Sequence, residues 1–374
     1  LLLFIFLMPH QQTPDSYAHL TRAYEVSNGV LVAQPAENGM NGATLPVEIR
    51  HYIEREENYQ YELDAIGTTL SGETYLEQEQ YPAASGYIFV LYLPHAIGIL
   101  IGRLLGMSVY FFLLLGRILC MLAFGIMAYF AIKLAPRFKI FLMFLAMLPM
   151  TLQQTTAFTA DAMTFGVAFL LIGYALYLIY DEKVKTITNR QIVGIYGIAA
   201  AMALCKVVYF PLMGLFVLIP WRKFGSKKRK WLHGLLAVGV AVALEILWMK
   251  LQATEQGTLP ITDQFTFIVQ HPLRYITYMV GTAMDYLSTF YVSSTFGMSL
   301  GAWKFDLPNA SVFMAAAMAA VVFTRGTEHF NVKPGARWMS WGIFTVVVVA
   351  FMTTMFTQWT KPGLNYVDGV QGRY

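Results

Sequence analysis

Asp15, His19 and Arg22 stand in the run Pro14-Asp15-Ser16-Tyr17-Ala18-His19-Leu20-Thr21-Arg22. Their offsets of four and seven put all three on one face if the segment is helical. A carboxylate fixed beside a cation at a membrane exit suits general-base work on an incoming hydroxyl. The same spacing equally suits a plain helix N-cap with an i to i+4 pair. Three more ionisable residues adjoin or interrupt apolar runs. Asp161, in Thr159-Ala160-Asp161-Ala162, can cap a helix or meet a metal or substrate. Lys206, between Cys205 and Val207-Val208-Tyr209, can meet a phosphate or snorkel to the surface. Arg373, in Gln371-Gly372-Arg373-Tyr374, can clamp a phosphate or pair with an acid. An ionisable side chain at the bilayer centre costs roughly 2.5 to 3.5 kcal/mol on insertion scales, so each such residue is a functional candidate.

The surrounding sequence is a membrane sequence. Of 374 residues, 57% are hydrophobic and 13% charged, against roughly 25% charged in a soluble domain. Residues 9–85 carry twelve acids and three basic residues, net −9, which leaves +13 on the rest of the chain. The basic residues flank apolar spans and form no stripe with aromatics, so nucleic acid is excluded as a partner. Cys120 and Cys205 both lie in apolar runs, and the seven histidines show no metal-ligand spacing. There is no Walker loop, GxSxG or dinucleotide fingerprint, so nucleotide-fuelled and serine-hydrolase chemistry lack support.

Each membrane crossing flips the side, and short cytoplasmic loops collect Lys and Arg. Residues 133–139, 181–190, 221–230 and 324–337 hold 15 of the 23 basic residues outside the acidic segment, which places all four inside. Residues 1–8 then form the outer end of a first helix that begins before this sequence. Residues 9–108 form an extracytoplasmic loop whose 86–105 run is a juxtamembrane helix lying along the surface. Helices fill 109–251, with 140–157 and 161–180 meeting at an outer turn. At 1.5 Å per residue, 191–220 overshoots one crossing, so two short or tilted helices meeting near Cys205 are expected, with Lys206 at their outer turn. Residues 252–307 form an extracytoplasmic or re-entrant loop, 308–323 cross back, 338–357 cross outward again, and 358–374 end outside. The fold class is therefore an all-α polytopic membrane protein. Asp15, His19, Arg22, Asp161, Lys206 and Arg373 all fall on its outer side.

The order of these features resembles the GT-C superfamily of membrane glycosyltransferases. The resemblance runs through Pro14-Asp15 after the first span, Tyr81-Pro82 before a surface helix, Gly106-Met107-Ser108 and Arg117 at the next span, Pro149 and Asp161, and Cys205-Lys206. More narrowly, Pro14-Asp15, His19, Arg22-Ala23-Tyr24, Lys206, Tyr209, Pro211, the 297–308 stretch and Gly369-Val370-Gln371-Gly372-Arg373-Tyr374 resemble a bacterial membrane family catalogued as domain of unknown function 2142. The terminal motif is its most specific part.

That resemblance implies a GT-C-like helix bundle in the cell membrane with a large first loop, and an active site on the extracytoplasmic face. It implies a polyprenyl-phosphate sugar donor and a glycan or lipid acceptor. Asp15 would be the base, with His19, Arg22, Asp161, Tyr209 and Gln371 contacting substrate. Lys206 and Arg373 would hold the phosphate leaving group as charge builds on it. The one cofactor it admits is a divalent cation, Mg or Mn, on Asp15 and Asp161; relatives often carry Glu after the first aspartate, where this chain has Ser16. Two other function classes remain open: a transporter or flippase for lipid-linked glycans, and a non-catalytic assembly partner.

Overall fold

The computed structural model describes residues 5–6, 13, 15–35, 41–54, 64–79, 84, 86–252, 261–286, 299–300, 305–306, 317–322, 324 and 332–370. The described chain is mostly helical, in keeping with an all-α membrane protein, and the acidic segment adds a small sheet that hydropathy and charge did not announce. Helix α1 (Ser16–Ser27) is followed by β1 (Gln34–Pro35), β2 (Asn41–Pro46), helix α2 (Val47–Glu54) and β3 (Thr74–Glu79). The strands pair antiparallel in the order β1-β2-β3, with Asn41 opposite Glu79 and Pro46 opposite Thr74. Along β2, Asn41, Ala43 and Leu45 are buried while Thr44 is exposed, the period-two alternation of a half-buried strand. Eleven of the twelve residues of α1 are buried, so this short polar helix is the core of the segment.

The bundle follows. A 3-10 turn (Phe89–Tyr92) leads into α3 (Leu93–Leu104), which packs against the first half of α4 (Val109–Leu134). Their contact is glycine-made: a Cβ added to Gly98 would stand 2.6 Å from the Gly116 Cα and the Leu115 carbonyl oxygen. Gly102 completes a GxxxG spacing on α3 and meets Phe112. Ile97, Leu100, Ile101 and Leu104 stay exposed on the other side of α3. Gly98→Ala is therefore expected to cost about 1–3 kcal/mol by forcing two backbones apart. Gly125→Ala on α4, with nothing within 4 Å of the added methyl, should be neutral or stabilising by up to about 1 kcal/mol. Thermal unfolding of both variants in detergent checks the pair.

The 140–157 run, expected as one helix, is two: α5 (Lys139–Ala146) and α6 (Pro149–Thr155). Pro149 has no N–H to donate and drives Leu148 to an extended ψ of 139°, which ends helical winding there. Helix α7 (Asp161–Tyr180) and helix α8 (Asn189–Ala203) come next, the latter opened by a Thr188–Gln191 capping box. The expected break near Cys205 is present. Residues 204–206 separate α8 from a 3-10 helix, Val207–Leu218, with Pro211 inside it. Fifteen α residues and twelve 3-10 residues each reach only about 22–24 Å, at 1.5 and 2.0 Å per residue.

Helix α9 (Lys227–Leu251), α10 (Ile261–Gln270), α11 (Pro272–Tyr286), a short β4–β5 pair (Ser299–Leu300 with Phe305–Asp306) and α12 (Pro334–Gln358) follow. Among the described residues, α4, α7, α9 and α12 are the four helices long and apolar enough to cross a membrane. The main core joins α1, α3, α7, α8 and the long 3-10 helix. A second cluster joins α11, α12 and the loop that ends at Val370, and Val208 packs against it.

The two ends of α7 differ in chemistry. At its C-terminus the Lys223 ammonium donates to the carbonyls of Leu178 (2.8 Å) and Ile179 (3.1 Å), and the Ile187 N–H donates to the Lys223 carbonyl at 2.7 Å. Two of the basic connections, 181–190 and 221–230, thus share one end of the bundle. Asp161 and the Lys206 turn share the other.

Candidate functional site

Asp161 is the first residue of α7, placed there by Thr159, whose hydroxyl accepts from the Asp161 N–H at 2.9 Å. Ala160, not Asp161, is the N-cap of α7. The Asp161 carboxylate pairs with Lys206: Oδ1 stands 2.5 Å from Nζ, with the two side chains 4% and 10% exposed. Lys206 therefore does not snorkel to the surface. The N-terminal dipole of α7 adds to the stabilisation of the carboxylate. The Lys206 carbonyl accepts from the Tyr209 N–H at 2.9 Å, which starts the 3-10 helix. The Tyr209 side chain is half-buried against the main core.

Tyr87 joins this pair to α1. The Lys206 ammonium lies 5.5 Å from the centroid of the Tyr87 ring. The His19 ring stacks on the same tyrosine at 6.1 Å and 20°. Trp248 of α9 and Gln252, which caps its C-terminus, hold the Tyr87 loop: Trp248 Nε1 and Gln252 Nε2 both donate to the Gly86 carbonyl (3.1 and 2.8 Å).

His19 is oriented by Tyr92. The Tyr92 hydroxyl donates to the Ala84 carbonyl at 3.3 Å and stands 2.7 Å from His19 Nδ1.

Asp15 lies one turn before His19, and its carbonyl accepts from the His19 N–H at 3.1 Å. Its φ of 63° is left-handed, a region aspartate tolerates better than most residues. Asp15 occupies the N-cap position of α1, but its side chain makes no cap hydrogen bond there.

Arg22 serves another purpose. Its guanidinium pairs with Glu25 at 3.0 Å and donates to the carbonyls of Val30 (3.2 Å) and Leu31 (2.5 Å). It fastens the loop after α1 and is 1% exposed. Burial pushes the Glu25 carboxyl above its ordinary range, and the Arg22 charge and hydrogen bond oppose that rise only in part. Arg103, from the last turn of α3, braces the same loop through Asn28 Oδ1 (2.5 Å) and the face of Tyr24.

Gln371 and Arg373 lie outside the described residues. The loop leading to them is anchored by Thr282, whose hydroxyl accepts from the Val367 N–H (2.9 Å), and by Gly369, packed on Trp359 with φ of 76°. It ends in the cluster that also holds Val208, two residues from Lys206.

Over residues 1–374 the chain matches the family described as Predicted membrane protein (DUF2142). The chain belongs to that family. No curated protein and no solved structure matches it. DUF2142 membership and the four long apolar helices together make it a membrane protein.

The DUF2142 chain also carries a polar layer behind Asp161. Arg117 Nε donates to the Thr156 carbonyl at 2.6 Å, and His95 Nε2 stands 3.1 Å from the next carbonyl, Ala157. Both side chains are buried, so two consecutive carbonyls of the loop before Asp161 are held by side chains of α3 and α4. Arg117 carried a signal in the sequence, as the one charge in the apolar run before Lys133; His95 carried none. His95→Phe should leave the buried Ala157 carbonyl without its donor, at a cost of about 1–3 kcal/mol, read as a lowered unfolding temperature in detergent.

The donor set does not fit a resident divalent cation. Among the described residues no group of three His, Cys, Asp or Glu side chains could hold one, and the Asp161 carboxylate is directed to an ammonium. Mg or Mn on Asp15 and Asp161 therefore gains no support from the geometry.

Proposed function

We propose that this protein is a multi-pass glycosyltransferase of the cell membrane. It takes a sugar from a polyprenyl-phosphate donor and passes it to a hydroxyl of a surface glycan or lipid on the extracytoplasmic face. The observation that carries this reading is Lys206, a largely enclosed lysine at one end of an apolar bundle, held by a carboxylate and an aromatic ring. A lipid-linked phosphate reaches such a site from the bilayer, and its sugar is already activated. In the transfer step the acceptor oxygen bonds to the anomeric carbon as the bond from that carbon to the phosphate oxygen breaks. The acceptor proton goes to Asp15, and the bonding electron pair leaves on the polyprenyl phosphate. Lys206 offsets that charge where water is excluded, and Asp161 holds Lys206 in place before the donor arrives.

The test is a purified-protein assay in detergent with radiolabelled polyprenyl-phosphate sugar and a membrane-glycan acceptor. Labelled product formed without a gradient is expected. Movement of intact donor across proteoliposomes, with no new product, would replace the reading by a transporter.

A further inference from the structure

At the end of the bundle opposite Lys206, six of the ten residues 221–230 are basic. The structure divides them into two groups. Lys223 and Lys230 face inward: their ammonium groups donate to backbone carbonyls at helix ends, Lys223 to Leu178 and Ile179, and Lys230 to Val217 at 2.6 Å. Arg222, Lys227, Lys228 and Arg229 are exposed, and Arg229 reaches Asn189 Oδ1 at 3.3 Å.

The outward group is bracketed by two indole rings. Trp221, 42% exposed, has the Arg222 guanidinium and the Lys227 ammonium each 5.8 Å from its centroid. Trp231, 56% exposed, stands at the other end of the run, beside the inward-bonded Lys230 whose ammonium is 5.9 Å from its centroid. This patch runs from the end of the long 3-10 helix into the first turn of α9, so it forms the headgroup end of a helix long and apolar enough to cross a membrane. Tryptophan favours headgroup depth because its ring is apolar and its N–H is polar. The neighbouring acid Asp181 accepts from the Lys183 N–H through Oδ1, and no acid lies within 221–230 itself.

We infer that the 221–231 patch is a binding surface for anionic phospholipid headgroups: the outward cations take the phosphates while Trp221 and Trp231 seat at the glycerol level. Anionic lipid is favoured over a soluble polyanion because the cations sit on short connections between apolar helices with exposed indoles beside them. This surface is independent of sugar transfer and lies at the other end of the molecule from Asp161.

The experiment compares retention of phosphatidylglycerol and phosphatidylcholine by the purified full chain, in nanodiscs of the two lipids mixed, by native mass spectrometry. The wild type should enrich phosphatidylglycerol. The triple variant Arg222→Gln, Lys227→Gln, Lys228→Gln should lose about ten- to a hundredfold of that preference at low salt, and high salt should erode the wild-type preference in the same direction. Lys223→Gln serves as the contrast: it should lower the unfolding temperature equally in both lipids and leave the preference intact. Equal retention of the two lipids by the wild type, or an undiminished preference in the triple variant, would overturn the assignment. Capture of an oligonucleotide by protein in phosphatidylcholine nanodiscs, abolished in the triple variant and without any lipid preference, would transfer the surface to nucleic acid instead.

Discussion

Lys206→Met should destabilise the protein by about 3–5 kcal/mol and abolish donor binding, because it leaves the Asp161 carboxylate buried with its cation gone. The stability part of that result does not depend on the proposed reaction. The double variant Asp161→Asn, Lys206→Met removes both charges at nearly unchanged volume and should recover most of the loss, since replacing a whole buried pair by neutral groups is often close to neutral. Donor binding should not recover. Thermal unfolding in detergent reads the first effect, and retention of radiolabelled polyprenyl-phosphate sugar reads the second. A double variant that regains both would remove Lys206 from the phosphate site and leave it a structural partner of Asp161. A single variant as stable as wild type would show that the carboxylate takes up a proton or another partner at little cost.

Asp15→Asn should slow transfer by roughly 10²–10⁴-fold while donor retention and stability hold, the loss expected for removal of a general base. The structure decides which substitution is informative. With φ of 63°, alanine at this position would add a backbone penalty of about 1–2 kcal/mol, whereas asparagine tolerates the left-handed region. Because asparagine keeps the side chain's size and one acceptor oxygen, stability should change by about 0.5 kcal/mol or less. Single-turnover transfer with saturating donor measures the step directly. Transfer at the wild-type rate by the Asp15→Asn variant would end the assignment of Asp15 as base.

Charge and length made much of the bundle legible. The turn at Lys206 was foreseeable because 191–220 is too long for one crossing and has cytoplasmic signals at both ends, and α8 does stop at Ala203. Pro149 was visible too, yet the 140–157 run reads as continuous by hydropathy alone; only the extended backbone of Leu148 shows that the helix is cut in two. The β2–β3 ladder was missed because its residues, such as Asn41, Thr44 and Glu77, are polar and turn-rich, and their register is set by pairing across a long connection. At the site, helical spacing grouped Arg22 with Asp15 and His19. Its actual partners include the carbonyls of Val30 and Leu31, which no face-of-helix argument contains. Tyr87 gathers His19 and Lys206 from segments far apart in sequence, so its place at the centre could be seen only in three dimensions.

The winding of Val207–Leu218 makes the Lys206 end of the bundle unusually sensitive to insertions and deletions. A 3-10 helix turns about 120° per residue where an α-helix turns about 100°. Removing a single residue between Val207 and Leu218 would therefore swing the Lys206 Cα about a third of a revolution around the axis and draw it in by about 2 Å. That is enough to carry its ammonium away from Asp161 altogether. About three residues complete one 3-10 turn, so only changes in multiples of three would return Lys206 to the same azimuth, at the expense of about 6 Å in height. The segment thus fixes direction and depth together, and its length of twelve residues is about four whole turns.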